Sequence, residues 1–351
     1  FARSVGYAVV KKPEGYTTAK VDQIIQEYEK KSANEQQSTA KQYPNIITVV
    51  NETFADIKVL GDFKTNEDYM PYFHSLKKNC VTGYTYASIV GGQTANTEFE
   101  LLTGNTLGFL SAGTTAFQLY IHGQMPSLVS NLKAEGYSGN KAMHPFNPYN
   151  YNRPAVYKDF GFTDFIDKFD FPKNVKRVRE YISDEANVDR IISEYEKNRK
   201  KTDQPFYMYN MTIQNHSPYD KDAANFKQPI KIESSKYDAE ANRYLNLIKY
   251  SDDSLKQLTS YFEKCKEPTI ILFLGDHQPR LTDEFMNKIT NGQYQTWSSE
   301  QMMKRYQVPF VIWANYDIKE QHIEKTSMNY IQSILTKTAG VKMTGYQRFL
   351  N

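Results

Sequence analysis

The amino-acid sequence predicts an α/β fold in which helices flank a central, mainly parallel sheet. Four short runs are rich in β-branched and aromatic residues and almost continuously apolar, as expected of strands that are buried on both faces. Segments of helical character lie between these runs, and parallel neighbours in a sheet need such long crossovers. With 351 residues, the chain can form one large α/β domain or two smaller ones.

The first 43 residues are predicted to form a lead-in, and residues 44–351 the main domain. Within the lead-in, Thr17 or Thr18 is placed to cap a helix whose apolar residues recur at helical spacing. The polar run over residues 30–42 then predicts a solvated linker or a frayed helix end. Because the chain begins with Phe rather than Met, we expect it to be part of a longer protein with a membrane anchor upstream.

The predicted strands of the main domain share the buried, β-branched character described above: residues 46–50, 206–213, 270–274 and 310–313. The clearest helix covers residues 239–265, where apolar residues recur on one helix face. Residues 136–157, rich in Pro, Asn and Tyr, are predicted to form a long surface loop, and such loops are commonly functional. The last residues, 345–351, have the pattern of a helix start.

Charge and cysteine content narrow the class of partner. The net charge is +3, and acidic and basic residues are interspersed, so no basic stripe points to nucleic acid. The aromatic share is 14%, which is typical of domains that handle sugars or lie near a membrane, although aromatic core packing explains it equally well. Cys80 and Cys265 match no zinc motif, and we expect two unpaired buried thiols, with a single bridge as the alternative.

Polar side chains of one kind follow three of the predicted strands. Glu52 follows the first strand, Asn215-His216 follow the second, and Asp276-His277 follow the third. In open α/β sheets the ligand site lies beyond the carboxyl ends of the strands, so these side chains are expected to converge. Carboxylate and imidazole ligands suit Mn²⁺, Mg²⁺ or Zn²⁺, and the mixed set favours Mn²⁺ or Zn²⁺. Taken alone, a glutamate at a strand end is more often a surface carboxylate.

A glycine-rich turn precedes the next candidate, Thr94. The paired glycines Gly91 and Gly92 allow a close approach of backbone to a ligand, and a helix is predicted to start near Thr94. One interpretation is that Thr94 or Thr97 caps this helix, with a glutamate three residues later completing a capping box. The other is that a hydroxyl at a helix N-terminus, beside a bound metal, acts as a nucleophile towards phosphate. The two interpretations are compatible.

Together these motifs resemble those of the alkaline phosphatase and sulfatase superfamily. More narrowly, the segment ending in Glu52, the turn carrying Thr94 and the Gly-Asp-His at 275–277 resemble those of the lipoteichoic acid synthases and related bacterial phosphoglycerol transferases. The resemblance covers residues 44–340, and the motifs stand in the order of the family. It implies a sulfatase-like fold, one divalent metal, usually Mn²⁺, and the following roles: Thr94 as nucleophile and metal ligand, with Glu52, Asp276 and His277 as the other ligands.

The resemblance also implies a glycerol-phosphate pocket formed by His144, Tyr151, Arg153 and His216. Tyr151 departs from the tryptophan of lipoteichoic acid synthase. A guanidinium fork at Arg153 matches phosphate oxygens, although an arginine here could instead pair with a carboxylate. The segment around Thr94 also lacks the Lys-Thr-Ser form of lipoteichoic acid synthase. It is more similar to transferases that place glycerol phosphate on cell-wall polysaccharides.

The function implied by the resemblance is transfer of glycerol phosphate, an activity of the EC 2.7.8 type. The donor would be phosphatidylglycerol, the intermediate would be covalent at Thr94, and the acceptor would be a glycan or a teichoic acid. The expected location is the extracellular face of a bacterial cell membrane, in a Gram-positive organism. The alternatives are a phosphoethanolamine transferase, a phosphodiesterase, or a non-catalytic domain that binds glycerol-phosphate polymers. A sulfatase activity is not expected, because neither Cys80 nor Cys265 lies in a Cys-x-Pro-x-Arg setting.

Overall fold

The computed structural model describes residues 12–32, 43–233, 239–292 and 294–351. Ten strands lie within these ranges. In chain order they are β1 (Asn45–Asn51), β2 (Cys80–Tyr86), β3 (Ser138–Met143), β4 (Asp164–Ile166), β5 (Arg177–Val178), β6 (Tyr181–Ile182), β7 (Phe206–Met211), β8 (Thr269–Gly275), β9 (Gln307–Ala314) and β10 (Gln321–Ser327). Eight of them form one sheet in the order β10-β2-β9-β8-β1-β7-β3-β4, and β5 and β6 form a separate small hairpin.

The large sheet is mainly parallel, which confirms the predicted fold class. The strand β1 lies in the middle and runs parallel to both β7 and β8. The strands β3 and β4 extend this parallel half of the sheet. The strand β9, predicted from its apolar run, runs antiparallel to both β8 and β2. The predicted strands therefore form the centre of the sheet, where both faces are covered.

Helices cover both faces of the sheet. Within the described ranges they are α1 (Thr18–Ser32), α2 (Pro71–Ser75), α3 (Thr94–Thr103), α4 (Ala116–Leu119), α5 (Leu128–Ala134), α6 (Arg153–Phe160), α7 (Asp184–Arg199), α8 (Ala239–Phe262), α9 (Asp283–Ile289), α10 (Ser299–Met303), α11 (Ile331–Thr338) and α12 (Gly345–Leu350). Short 3-10 helices stand between them: Ile57–Val59, Leu107–Phe109, Asn150–Asn152, Lys168–Asp170, Tyr294–Thr296, Lys304–Tyr306 and Met328–Tyr330. In this part of the chain no helix is both long enough and apolar enough to cross a bilayer.

Two hydrophobic cores lie on opposite faces of the sheet. Along β1, Ile46 and Val50 pack into one core, and Ile47 and Val49 pack into the other. Successive side chains of a strand point to opposite faces, so both faces of β1 are buried by helices. This is the physical reason that its sequence is continuously apolar rather than alternating.

The predicted lead-in helix is α1, and it packs against the main domain. The Thr17 hydroxyl accepts a hydrogen bond from the backbone N–H of Lys20 at 3.1 Å, as a cap does. The ring of Tyr28 meets that of Phe349 on the helix α12 edge to face, with centroids 5.5 Å apart. The prediction of a helix from residue 345 is confirmed by α12. Residues 33–42 of the predicted linker lie outside the described ranges.

The prediction of a surface loop over residues 136–157 was wrong. This segment contains β3 and the first turns of α6. The strand was missed because it opens on small and polar residues and carries a register shift between Gly139 and Lys141. It is buried by its position beside β7, a long-range contact that its composition does not reveal.

The two edges of the sheet differ. One edge strand, β4, has three residues. The other, β10, has seven, and its exposed side chains include His322, Glu324 and Lys325. The free thiol Cys80 is buried in β2 next to this edge, while Cys265 is a half-buried free thiol elsewhere, so the expectation of unpaired cysteines is confirmed.

Candidate active site

The register of two central strands brings the predicted metal ligands together. In the pairing of β1 with β8, Asn51 stands opposite Gly275. The next residue on each strand is a carboxylate, Glu52 on one and Asp276 on the other. Because the strands are parallel, both carboxylates emerge at the same edge, and His277 follows directly. The three side chains are buried, and their ligand atoms all lie within 4.8 Å of one another.

The nucleophile candidate lies against this cluster. The hydroxyl of Thr94 donates a hydrogen bond to Oδ2 of Asp276 at 2.7 Å. The imidazole Nε2 of His277 lies 3.2 Å from the same carboxylate oxygen and 3.7 Å from Oε1 of Glu52. Four side chains from three distant segments of the chain therefore present oxygen and nitrogen atoms to one small volume.

The atoms of this cluster fit a divalent cation. The Nδ1–H of His277 donates to the backbone carbonyl of Gln278 at 2.9 Å, which leaves the lone pair of Nε2 directed at the carboxylates. Nε2 is buried and has no hydrogen-bond partner among the described residues. Burial and the neighbouring Asp276 raise the pKa of Glu52, because two buried carboxylates repel each other. A cation would satisfy all of these atoms together, and the mixed N/O set is one that Mn²⁺ or Zn²⁺ accepts.

Backbone groups hold Asp276 in place. Its Oδ1 accepts hydrogen bonds from the N–H of Thr53 at 2.7 Å and from the N–H of His277 at 2.9 Å. Thr53 reaches this position through a left-handed backbone, with φ of 55°. The turn after β1 passes so close to β8 that a Cβ on Gly275 would lie 1.9 Å from the carbonyl oxygen of Phe54. The glycine of the Gly-Asp-His motif is therefore required by a close backbone approach.

The turn before Thr94 also uses unusual backbone. Gly91, Gly92 and Gln93 all have positive φ, and Thr94 is the first residue of the ten-residue helix α3. The capping-box interpretation was wrong. Gln93 occupies the cap position without a side-chain cap, and the hydroxyl of Thr97 donates to the backbone carbonyl of Asp276 at 2.7 Å. Both threonine hydroxyls are used to join α3 to the end of β8.

A cavity of about 390 Å³ opens above this cluster. All four predicted pocket residues line it together with Glu52, Thr94 and His277: His144, Tyr151, Arg153 and His216. Asp276 is fully buried beneath the cavity. Side chains that the sequence did not point to complete the wall, namely Gln93, Gln118, Phe146, Asn150, Ile213 and Ser217, with the backbone of Gly91 and Gly92.

Arg153 forms an ion pair and also faces the cavity. It is the first residue of α6, and its Nε and Nη2 donate to Oε1 of Glu98 at 3.0 and 2.7 Å. The hydroxyls of Tyr157 and Tyr209 donate to the other oxygen, Oε2. Arg153 therefore pairs with a carboxylate, as one interpretation of the sequence had it, and it also lines the cavity. Phosphate binding by its guanidinium stays a prediction. The role of Glu98 was not predicted, because no local pattern reveals a partner 55 residues away.

The two pocket histidines have different surroundings. His144 is buried, and its Nδ1–H donates to the backbone carbonyl of Met211 at 3.0 Å. Burial, with the positive charge of Arg153, lowers the pKa of His144 well below its usual range, so this ring is neutral at neutral pH. His216 is exposed, and its Nδ1–H donates to the carbonyl of Ser217 at 2.7 Å. Its ring stacks on that of Phe146 at 6.3 Å.

The other three histidines lie outside the cavity. His74 pairs with Asp56 and Asp68. His122 contacts the carbonyl of Leu119, and His322 contacts Thr82 on the edge of the sheet. None of the three is among the residues that line the cavity in the described part of the chain.

The chain is similar to known proteins in sequence and in fold. A family model described as Sulfatase matches residues 44–341. A protein of Rhizobium meliloti that carries the provisional name cyclic beta-1,2-glucan modification protein is 32% identical over 358 residues, which cover 100% of this chain and 53% of that protein. The chain thus spans about half the length of this curated relative.

Solved structures show the same fold. The phosphoglycerol transferase GacH of Streptococcus pyogenes, in complex with sn-glycerol-1-phosphate, superposes with a TM-score of 0.78 at 19% identity, covering 97% of this chain and 87% of that one. The lipoteichoic acid synthase LtaP of Listeria monocytogenes superposes with a TM-score of 0.71 at 21% identity, covering 100% and 81%. At these identities the likeness concerns the fold.

Proposed function

The chain belongs to the sulfatase family, and from this premise we propose that it is a metal-dependent glycerol-phosphate transferase. In this proposal the headgroup of phosphatidylglycerol moves, through a covalent intermediate at Thr94, to a hydroxyl of a glycan or a teichoic acid. The observation that carries the proposal is the Thr94 hydroxyl, which lies between a three-residue cluster of candidate ligands and a cavity lined by guanidinium, imidazole, amide and hydroxyl groups.

Glu52, Asp276 and His277, with the Thr94 oxygen, would hold one divalent cation, for which Mn²⁺ is our first choice and Mg²⁺ or Zn²⁺ the alternatives. When bound, such a cation activates the hydroxyl and neutralises charge on the phosphate. The contribution of Asp276 is orientation, because its Oδ2 accepts from the Thr94 hydroxyl and its Oδ1 is held by backbone donors. The position of Thr94 at the start of α3 adds the positive end of a helix dipole.

Two transfers at phosphorus follow from this arrangement. In the first, the Thr94 oxygen attacks the phosphodiester, the bond to diacylglycerol breaks, and glycerophosphoryl-Thr94 forms. In the second, an acceptor hydroxyl attacks the same phosphorus and Thr94 is released. The N–H groups of Arg153 that Glu98 leaves free would bind the phosphate oxygens. His216 is the better proton carrier, because it is exposed at the cavity while His144 is buried and neutral.

The lining of the cavity favours glycerol phosphate over phosphoethanolamine. Glu52 is the one carboxylate among the described lining residues, and it belongs to the ligand cluster. The ammonium group of ethanolamine would therefore have no free carboxylate to pair with. The amides of Gln118 and Asn150 and the hydroxyl of Tyr151 can instead bond to neutral hydroxyl groups.

The acceptor and the location are proposed from relatives. GacH is described as a phosphoglycerol transferase, LtaP as a lipoteichoic acid synthase, and the Rhizobium meliloti protein is named for modification of a glucan. A polysaccharide or teichoic acid acceptor is consistent with all three names. We place the domain on the extracellular face of a bacterial membrane, close to its lipid donor and held by an upstream anchor. A Gram-positive source stays a prediction.

Intact-mass measurement tests the covalent step. The manganese-loaded protein is incubated with phosphatidylglycerol and, in parallel, with phosphatidylethanolamine. We expect an adduct with the mass of one glycerophosphoryl group, absent from Thr94→Ala, and no adduct from the second lipid. The proposal fails if no adduct forms while metal analysis shows the cation still bound. An adduct from phosphatidylethanolamine alone would support the phosphoethanolamine transferase.

A second measurement separates transfer from hydrolysis and from silent binding. The adduct is isolated and mixed with buffer or with a glycan acceptor. Transfer predicts that the glycan accelerates decay of the adduct and gains glycerol phosphate. A phosphodiesterase would lose the adduct equally fast in buffer, and a binding domain would never form it.

A further inference from the structure

A small hairpin outside the cavity contacts the loop that carries His216. The hairpin consists of β5 and β6, joined by a turn at Arg179 and Glu180. Arg179 has φ of 54°, a left-handed conformation that is uncommon for a residue other than glycine. The Nδ2 of Asn225 holds the turn by donating to the carbonyls of Arg177 and Arg179 at 3.1 and 2.9 Å. The unusual backbone is therefore stabilised by its neighbours.

The side chain of Arg179 binds three backbone carbonyls of the loop after β7. Its Nη1 donates to the carbonyl of Pro218 at 2.7 Å, and its Nη2 donates to those of Gln214 and His216 at 2.8 and 2.7 Å. The three carbonyls belong to a five-residue segment, and they include that of His216 and one on each side of it. A planar guanidinium fork can bind several acceptors in a fixed geometry, which an ammonium group cannot.

Two aromatic rings lie against the guanidinium group of Arg179. The guanidinium carbon of Arg179 lies 5.2 Å from the ring centroid of Tyr181 and 5.8 Å from that of Tyr219. The ring of Tyr181 in turn meets the imidazole of His216 at 5.8 Å. The hairpin thus contacts both the backbone and the side chain of His216, although in the described structure neither Arg179 nor Tyr181 lines the cavity.

We infer that Arg179 is a positioning residue that holds the 214–218 loop so that His216 faces Thr94 across the cavity. This inference rests on the proposed function, because His216 matters as a proton carrier only if a phosphate group is transferred. Since Nδ1 of His216 is committed to the carbonyl of Ser217, Nε2 is the nitrogen left to exchange a proton with a leaving or entering oxygen. Proton transfer depends on that nitrogen being held within hydrogen-bond reach of the substrate.

The hairpin supplies its own matched control. Arg177 lies two residues away, and its Nη1 donates to the carbonyl of Glu180, inside the hairpin rather than to the loop. The variant Arg179→Gln removes the fork and Arg177→Gln removes a neighbouring arginine of equal charge. Arg179→Lys retains the charge without the fork and serves if the glutamine variant does not fold.

Hydrogen exchange tests the contact without any turnover. Peptides that cover residues 212–219 are followed by mass spectrometry in the full 351-residue chain. We expect faster exchange in Arg179→Gln and in Arg179→Lys, and unchanged exchange in Arg177→Gln. Equal exchange in all of the variants would overturn the inference. This outcome does not depend on the donor lipid, so it is distinguishable from a failure of the proposed function.

A double-mutant cycle tests whether Arg179 acts through His216. With phosphatidylglycerol as donor, we expect Arg179→Gln to lower kcat about 10- to 100-fold with little change in KM, because misplacement of a reacting group by about 1 Å has effects of that size. In a His216→Ala background the same substitution should have almost no further effect. A merely structural role predicts an equal loss in both backgrounds, and that result would refute the inference.

Discussion

The ligand cluster and the cavity wall are built in different ways. Glu52 and Asp276 directly follow paired residues of two central strands, so the register of the sheet sets their separation. Arg153 and His216 belong to segments after the strands, and they are held by side chains behind the wall, Glu98 and Arg179 respectively. The difference teaches that the geometry of the candidate cation site is tied to the fold, whereas the shape of the cavity wall depends on contacts that single substitutions can remove.

The largest expected effect comes from Thr94→Ala, which removes the reacting oxygen and leaves the ligand cluster. We expect turnover of phosphatidylglycerol to fall at least about 10³-fold, as is usual when a nucleophile is removed. Thermal stability should stay close to that of the unchanged protein, and the metal should be bound more weakly but not lost, because Glu52, Asp276 and His277 remain. Thr94→Ser, which retains a hydroxyl, is the matched control and should keep measurable turnover. Turnover above a tenth of the original in Thr94→Ala would contradict the assignment.

The next effect tests the backbone framework of the ligand cluster. In Gly275→Ala the new Cβ would fall 1.9 Å from the carbonyl oxygen of Phe54, so the turn that carries Glu52 must move. We expect turnover to fall about 10²-fold, because displacements near 1 Å at a reacting centre cost that much. Weaker Mn²⁺ binding, measured by calorimetry, should accompany the loss. Gly108→Ala is the control, since its nearest neighbour is a side-chain oxygen at 3.3 Å. Unchanged Mn²⁺ affinity in Gly275→Ala would contradict this prediction, because it would show that the turn accommodates the new Cβ without displacing Glu52.

A third experiment removes an ion pair that holds a residue of the cavity wall in place. Glu98→Gln removes the charge that pairs with Arg153, and an unpaired buried charge destabilises a protein by about 3–5 kcal/mol. We expect a lower melting temperature and a kcat/KM reduced about tenfold, chiefly through KM, with Mn²⁺ binding retained. Tyr209→Phe removes only a hydroxyl bonded to the other carboxylate oxygen and should have a smaller effect. Loss of Mn²⁺ binding in Glu98→Gln would show that wall and ligand cluster are not independent.

The smallest expected effect is a change with pH in the free energy of unfolding of the metal-free protein. Burial and Asp276 raise the pKa of Glu52 from 4.5 to about 8, so between these values the folded state binds a proton that the unfolded state has released. The free energy of unfolding should therefore fall as the pH rises from about 4.5 to about 8. Chemical denaturation of chelated protein at several pH values measures this slope.

Glu52→Gln is the control for that slope. It should remove the contribution of Glu52 and retain that of His74, whose pKa is raised to about 9 by Asp56 and Asp68 and which acts in the same direction above pH 6.5. Added Mn²⁺ should also flatten the slope, because a bound cation favours the ionised carboxylate. An equal slope in Glu52→Gln would contradict the electrostatic argument.

The sequence predicted the strands whose apolar pattern can be recognised without knowing which segments pack beside them. The runs at β1, β7, β8 and β9 are apolar because both faces are buried, and that condition is visible in a window of a few residues. The strand β3 was missed, since its polar and glycine residues resemble a loop and only its long-range pairing with β7 and β4 makes it a strand. The register shift at Gly139 has no signature in the sequence.

In the candidate site, too, some residues could be predicted from the sequence and others could not. Glu52, Asp276 and His277 could be proposed because each follows a recognisable strand. The roles of Glu98 and Arg179 could not, because their partners lie 35 residues or more away along the chain. Only the folded structure shows that Arg153 is held by a carboxylate on the helix of Thr94.

The edges of the sheet have a bearing on self-association. An exposed edge strand offers unpaired backbone donors and acceptors to which a second chain can add. In this molecule β4 offers only three residues, and β10 carries the exposed charged side chains of Glu324 and Lys325 beside its free edge. Adding a second copy at either edge would gain few hydrogen bonds or would bury charge. Even where many copies are crowded at high local density, their sheets are therefore expected to stay separate rather than fuse.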